Sequence, residues 1–263
     1  MFILQKSSNY GTSTPAVART VMQGGELLRF INCADSTKED AIAVLIELQR
    51  HLTKCVEIRD LLAAGISIGH LEMNSHGDRQ ACTNSISIPS VSDLQAKAEI
   101  FLQSAKLAVA ETGNLTMPFY SVSFGHKYHG FINWTKAEFG DADDFYLLVK
   151  SWGPFVKSVS TMRNAVDHPT EKNGRLITSD FSVIHDTAGL VLVDPRWGIG
   201  ESLRPILPDF DDIIEKIIVL GENILVRIFY KLKVDLPLEV REIPANLRDP
   251  NNPRRLTVEF VDS

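Results

Sequence analysis

Residues 155–169 read FVKSVSTMRNAVDHP, and this stretch decides both the expected fold class and the expected site. Its apolar residues recur at spacings of three and four, which places them on one face of an α-helix: Phe155, Val156, Val159, Met162 and Val166. A residue that precedes proline is disfavoured in helical geometry, so Pro169 predicts that the helix ends near Asp167. His168 is then expected at the end of an amphipathic helix.

The same helical period extends over much of the chain. It predicts helices at about 15–32, 37–63, 91–112, 141–167 and 209–233. We expect Gly65 to end the second of these helices. The Gly153-Pro154 pair is expected to kink or break the fourth, because proline lacks an amide proton and crowds the preceding turn.

The segments between these helices are predicted to be irregular. Residues 64–90 are rich in Ser, Asn and Gly and end in the alternating SISIP, so a loop with short strands is expected there. Residues 114–130 and 195–208 are also predicted to be loops, because they contain proline and glycine without a helical period.

Two regions carry strand patterns. Alternating apolar residues predict a β-hairpin at about 174–195, with its turn at 187–189. An extended C-terminal tail at about 234–263 has two short strand patterns separated by the turn-rich LRDPNNP. We therefore predict a single domain over residues 1–263 that is mainly α, a helical bundle with a small antiparallel β-hairpin appendage.

The composition restricts the class of protein. The formal net charge of −6 argues against a surface that is basic throughout, so any contact with nucleic acid requires a local patch. The longest apolar segment, IIVLGENILVRIFY, is interrupted by charged residues and predicts a core helix and not a membrane span. Only residues 2–4 are apolar at the N-terminus, far short of a signal peptide. A cytoplasmic location and no membrane contact are expected.

Polar residues at the end of the 155–169 segment invite two interpretations. Arg163 lies at the edge of the apolar stripe, where its guanidinium can reach an interface or pair with Asp167 one turn later. Asn164 precedes His168 by four residues and can orient its imidazole ring. An ordinary ion pair and an ordinary helix cap would explain the same residues without any function.

The pattern Arg163-Asn164-x-x-x-His168 resembles the RNxxxH form of the R-x(4–6)-H signature of the HEPN superfamily. These are α-helical domains, many of which are metal-independent ribonucleases. The resemblance implies a helical bundle with no metal and no cofactor. It also implies that Arg163 and His168 are catalytic and that Asn164 orients the histidine.

The chemistry of RNA cleavage is compatible with these residue types. Attack by the 2′-hydroxyl needs a base, an acid for the leaving oxygen, and positive charge beside the phosphate. His168 can perform one proton transfer at a time, and Arg163 can donate two hydrogen bonds to the phosphate. One motif therefore supplies half a site, and a two-fold homodimer would supply the other half, as it does in HEPN nucleases.

Two hypotheses follow. The first is a homodimeric endoribonuclease, of a toxin or defence system, whose substrate is RNA and whose partner is an antitoxin or another protein. The second is a HEPN-like helical protein that uses the motif for dimerisation or partner binding and performs no chemistry. His126 and His129 in FGHKYHG suggest a metal only weakly, because no third ligand lies nearby, and no metal is predicted. Arginines in the C-terminal tail could contact phosphates, although a solvated tail is the simpler interpretation.

Overall fold

The computed structural model of the chain describes residues 10–77, 88–172, 174–186 and 189–261. Three features discussed above fall outside these residues. They are the apolar residues 2–4, most of the SISIP segment, and the central residues 187–188 of the predicted hairpin turn.

The described chain is mainly α-helical, which confirms the predicted fold class. The α-helices are α1 (Pro15–Val17), α2 (Gln23–Arg29), α3 (Asp35–Gly77), α4 (Leu94–Asn114), α5 (Met117–Tyr120), α6 (Tyr128–Phe139), α7 (Asp144–Asp167) and α8 (Ile206–Leu232). A π-helical segment, Ala18–Met22, lies between α1 and α2, and a 3-10 helix covers Ala245–Leu247. No helix in the described ranges has the length and hydropathy to cross a bilayer. The HEPN-like arrangement of the bundle stays a prediction.

Small antiparallel sheets complete the described part of the chain. Their strands are β1 (Leu176–Ser179), β2 (Ser182–Asp186), β3 (Gly189–Val193), β4 (Arg196–Ile199), β5 (Ser202–Pro205), β6 (Leu238–Glu242) and β7 (Leu256–Phe260). One sheet has the order β1-β4-β5, while β2 pairs with β3 and β6 pairs with β7. The strands predicted in the C-terminal tail are therefore present and pair with each other, from Leu238 opposite Phe260 to Glu242 opposite Leu256.

The described residues form two compact units. The first contains residues 10–54, 104–157 and 214–261. The second contains the described residues of 55–103 and of 158–213. The prediction of a single domain over 1–263 stays a prediction.

The first unit has an aliphatic and aromatic core, closed by its C-terminal hairpin. Its fully buried side chains come from several helices and include Leu27, Leu48, Leu52, Phe131, Phe145, Ile224 and Phe229. The Gln23 side chain accepts hydrogen bonds from the backbone amides of Arg255, at 2.8 Å, and Leu256, at 2.7 Å. These two bonds attach the start of β7 to α2, although the residues are more than two hundred positions apart in sequence.

The second unit is built around an aromatic cluster. The rings of Phe101 and Phe210 stack with centroids 3.5 Å apart, and Trp197 meets Phe210 edge-on at 4.8 Å. Trp197 is fully buried, and its indole N–H donates to Asp209 at 2.9 Å. Because a buried indole needs a hydrogen-bond acceptor, this bond allows the tryptophan to lie in the core.

α3 is longer than predicted, and two glycines lie inside it at close contacts. Gly65 does not end the helix, which continues to Gly77, so the predicted loop at 64–90 is wrong at least as far as residue 77. A Cβ on Gly65 would lie 3.1 Å from Val91, and one on Gly69 would overlap the ring of Phe181. Both glycines therefore allow close packing inside the second unit. The rule that a glycine ends a helix does not take such packing into account.

The Gly153-Pro154 pair does not break α7, which is continuous from Asp144 to Asp167. The predicted break is therefore absent, whereas the alternative of a kink stays a prediction. Apolar residues are buried before the proline, at Phe145 and Val149, and after it, at Val156. Their burial offsets the lost hydrogen bond, which typically costs about 3 kcal/mol.

The predicted loops at 114–130 and 195–208 are also corrected. The first contains α5 and the start of α6, and the second contains β4, β5 and the start of α8. A two-residue turn joins β4 to β5 with Gly200 at φ +65°, a geometry that favours glycine. A Cβ on Gly198 would overlap the backbone of Ser202, so glycines that resembled loop residues belong to a tight hairpin.

The predicted hairpin at 174–195 is confirmed only for β2 and β3, which pair from Ser182 opposite Val193 onwards. β1 pairs with β4 instead. The chain leaves β1 at Asp180, whose carboxylate accepts hydrogen bonds from the amides of Val91 and Phe181. This side-chain cap interrupts what the alternation predicted to be one long strand.

Candidate functional site

The end of α7 has the geometry that the proline predicts. The helix ends at Asp167, and the backbone amide of His168 donates to the carbonyl of Asn164 at 2.8 Å. That bond closes the last turn, and Pro169 follows outside the helix. The predicted end of the helix is therefore confirmed.

Arg163 is held by two neighbours within the second unit. Its Nε donates to Gln103 Oε1 at 2.6 Å, and its Nη2 lies 2.5 Å from Asp167 Oδ1. Only 14 % of its side chain is exposed, against 32 % for Asp167. A carboxylate in the last turn opposes the helix dipole, and the guanidinium compensates for it. The ion pair weighed from the sequence is therefore present.

His168 and Asn164 lie on this same helix end with different exposure. His168 is exposed and Asn164 is half-buried. The backbone carbonyl of Asn164 accepts a hydrogen bond from the amide of His168. A role for the Asn164 side chain in orienting the ring stays a prediction. All three motif residues thus belong to the last two turns of α7 and the residue after it.

The bonds of Arg163 determine what it can do chemically. A guanidinium has five N–H donors, and the contacts to Gln103 and Asp167 engage two of them. A phosphate would compete with Asp167 for the Nη2 edge. Arg163 can therefore bind a phosphate by exchanging one anionic partner for another.

The histidine pair considered for a metal lies in the first unit. His126 belongs to the turn before α6, His129 to its first turn, and both are exposed. Across the described ranges, no three or more His, Cys, Asp or Glu side chains are grouped so that they could hold a metal ion.

Sequence reasoning missed a polar cluster in the first unit, which we call the Arg19 cluster: Arg19, Gln23, Glu215, Glu222 and Arg255. Arg19, Gln23 and Glu222 are buried, whereas Glu215 is exposed. Arg19 donates two bonds of 2.8 Å to the two carboxylate oxygens of Glu222 and further bonds to Glu215. Gln23 and Arg255 also donate to Glu222, each at 2.8 Å. Glu222 had been interpreted only as an interruption of an apolar segment.

The carboxylates of the Arg19 cluster favour the charged form of Arg19. Burial by itself would lower the pKa of Arg19, but the hydrogen bonds and charges of Glu222 and Glu215 outweigh it and raise the pKa above its ordinary value. The available signal was the position of Arg19 within an apolar helical stretch. Its partner lies 203 residues away and had no local signature.

The arginines of the C-terminal tail are also paired with carboxylates. Arg255 binds Glu222, Arg254 binds Glu26, and Arg248 bonds to Glu242 at 2.9 Å. Arg241 bridges Glu239 and Glu259 across the β6–β7 pair. These carboxylates neutralise the local basic charge that the sequence suggested.

The chain matches no protein-family model, no curated protein and no solved structure.

Proposed function

We propose that the chain is a HEPN-like, metal-independent endoribonuclease that acts as a homodimer, with Arg163 and His168 catalytic and Asn164 orienting. RNA is the proposed substrate. A toxin or defence role, with an antitoxin or other protein as partner, is part of the same proposal.

One observation carries the proposal: an exposed histidine directly follows the helix turn that holds a partly exposed Arg163–Asp167 pair. The imidazole is accessible for proton transfer, and the guanidinium is on the same helix end. Each subunit would supply one such pair to a shared cleft, because a single histidine cannot act as acid and base at once.

A second candidate is a HEPN-like dimerisation or partner-binding protein that performs no chemistry. The bonds from Arg163 to Gln103 and Asp167 favour it, because they already give the guanidinium an anionic partner without a phosphate. In that case the motif stabilises the helix end, and the exposed face of the helix end serves a protein partner.

The test compares RNA cleavage by the full chain with that by His168→Ala, in buffer with excess chelator. His185→Ala is the matched control, since His185 is an exposed histidine of the same unit outside the motif. The nuclease proposal expects cleavage by the wild type and by His185→Ala, and at least a hundred-fold loss in His168→Ala, on the order of a missing acid–base catalyst.

Products with cyclic phosphate ends would be expected, because the 2′-hydroxyl is the nucleophile. If structured and unstructured RNA both stay intact with the wild type, or if His168→Ala cleaves as fast as the wild type, the nuclease proposal fails. Size-exclusion chromatography measures the oligomeric state. A strict monomer at assay concentration would exclude the paired catalytic site, because that site needs two subunits.

A further inference from the structure

A cavity of about 520 Å³ lies in the first unit and belongs to none of the residues proposed above for RNA cleavage. Its walls come from the π-helical segment, α2, the start of α3 and the residues before β7. Sites for small molecules in proteins typically have volumes of about 300–1,000 Å³. The cavity therefore has the size of a small-molecule site.

One wall of the cavity is apolar. It is formed by Val21, Met22, Leu28 and Ile42. Met22 is 45 % exposed, which is unusual for a large apolar side chain on a packed helix. Val21 and Met22 belong to the π-helical segment, and π-helical turns are rare and occur frequently at functional sites.

The charged residues of the lining are unbalanced. Arg29, Lys38 and Arg254 are cationic, whereas Glu26 is the one carboxylate among the lining residues, and it pairs with Arg254. No carboxylate in the described parts of the chain pairs with Arg29 or Lys38. The lining therefore has a surplus of positive charge on a chain whose net charge is −6. Such a concentration of one sign attracts anions.

The backbone leaves the cavity accessible at Gly25. A Cβ on this glycine would meet no described heavy atom within 4 Å, whereas a Cβ on the adjacent Gly24 would lie 2.6 Å from Leu45. The two neighbours therefore face different surroundings: Gly24 faces the packed core, and Gly25 faces open space beside the cavity lining.

We propose that this cavity binds a small amphipathic anion. The phosphate or carboxylate of the ligand faces Arg29 and Lys38, and its apolar body lies against the aliphatic wall. Both a nucleotide and a fatty acid have this chemistry. The proposal does not depend on nuclease activity, because its residues and its measurement are separate from those of the Arg163–His168 motif.

The experiment is isothermal titration calorimetry of the full-length chain with paired probes. Adenosine monophosphate and adenosine test the nucleotide source, octanoate and octanol test the fatty-acid source, and inorganic phosphate tests the anion alone. We expect one of the two amphipathic anions to bind with a Kd below about 1 mM. Its uncharged counterpart should bind at least about tenfold more weakly, since a charge-assisted hydrogen bond is worth about that factor. Inorganic phosphate should also bind at least about tenfold more weakly, because it lacks the apolar body that lies against the aliphatic wall.

Three variants locate the site. Lys38→Ala and Arg29→Ala are each expected to weaken binding about tenfold. Gly25→Leu is expected to weaken binding by occupying part of the cavity, with thermal unfolding used to verify that the variant is folded. Lys157→Ala is the matched control, because it removes an exposed lysine of the same unit outside the cavity.

The proposal is overturned if neither anion binds in this range, or if adenosine or octanol binds as tightly as its charged counterpart. It is also overturned if the lining variants bind like the wild type or if Lys157→Ala weakens binding equally, because the anion would then bind elsewhere. If the Gly25→Leu protein is unfolded, Arg29→Ala and Lys38→Ala decide the proposal: weaker binding supports it, and unchanged binding overturns it.

Discussion

Two arginines of the chain are bonded to carboxylates in contrasting surroundings. Arg19, in the first unit, has 6 % of its side chain exposed, and its partner Glu222 has 1 %. Arg163, in the second unit, has 14 % exposed, and its partner Asp167 has 32 %. Glu222 accepts bonds from three side chains, whereas Asp167 lies at an exposed helix end.

This difference in exposure indicates which of the two ion pairs can exchange its carboxylate for another anion. Removing one member of a buried pair leaves a desolvated charge without compensation, so the Arg19 cluster is committed to structure. The Arg163–Asp167 pair is accessible to water, which lowers the cost of separating it. An accessible pair can release its arginine to an external anion, and this property suits Arg163 to a site.

The largest effect is expected for Arg19→Met. The substitution leaves Glu222 buried with only Arg255 and Gln23 as donors, and we expect the free energy of unfolding to fall by about 3 kcal/mol. Urea denaturation followed by circular dichroism measures this loss. The double variant Arg19→Met/Glu222→Leu should recover much of it, because the buried carboxylate is then removed and Arg255 keeps Glu242 at 3.7 Å. A double variant less stable than the single would contradict this account.

The same substitution at Arg163 is expected to have a smaller effect on stability. Arg163→Met should lower the free energy of unfolding by about 1 kcal/mol, because the pair is partly exposed. Under the nuclease proposal it lowers RNA cleavage by about 10²-fold, the effect of losing one donor to the transition state. A loss of stability as large as that at Arg19 would remove the distinction between the two pairs.

Asp167→Asn tests whether Arg163 must be held by its partner. The loss of the ion pair and the relief of an unfavourable charge at the helix C-terminus act in opposite directions, so stability should change by less than about 0.5 kcal/mol. Cleavage assays should show activity equal to or above that of the wild type. Inactive protein of unchanged stability would instead make Asp167 a positioning residue for Arg163.

The smallest effect is expected for His51, a buried histidine that, unlike Arg19 and Arg163, has no bonded carboxylate among the described residues. Burial, and then the charge of Arg50, lowers its pKa below the ordinary 6.5. Because the pKa of His51 is lower in the folded state than in the unfolded state, the contribution of neutral His51 to the free energy of unfolding is complete above pH 6.5. It declines as the pH falls below that value. Denaturation midpoints between pH 5 and 8 should show a smaller decline in His51→Gln than in the wild type. Identical pH profiles of the two proteins would exclude His51 as the cause of the loss of stability at low pH.

Local patterns predicted the parts of the molecule that local interactions determine. The helices followed the apolar period, and Pro169 correctly predicted the end of α7. Arg163 and Asp167 are one helical turn apart, so their pairing could be weighed from the sequence alone. Gln103, the other partner of Arg163, lies 60 residues away and could not.

The failures have one physical origin, which is that tertiary packing overrides a local rule. Gly65 resembled a helix stop, but it admits Val91 against α3. Glu222 resembled an interruption of an apolar segment, yet Arg19 and Arg255 neutralise it inside the core. Each of these outcomes depends on a residue that is distant in sequence, and a single sequence without such contacts contains no signal for it.

The attachment of Gln23 to the amides of Arg255 and Leu256 has a consequence for biosynthesis. During translation, α2 emerges more than two hundred residues before its partners on β7. The first unit therefore cannot reach its final form on the ribosome until residue 256 has left the exit tunnel. A nascent chain stalled earlier would hold Glu222 without Arg255, and it should depend on chaperones more strongly than the finished protein.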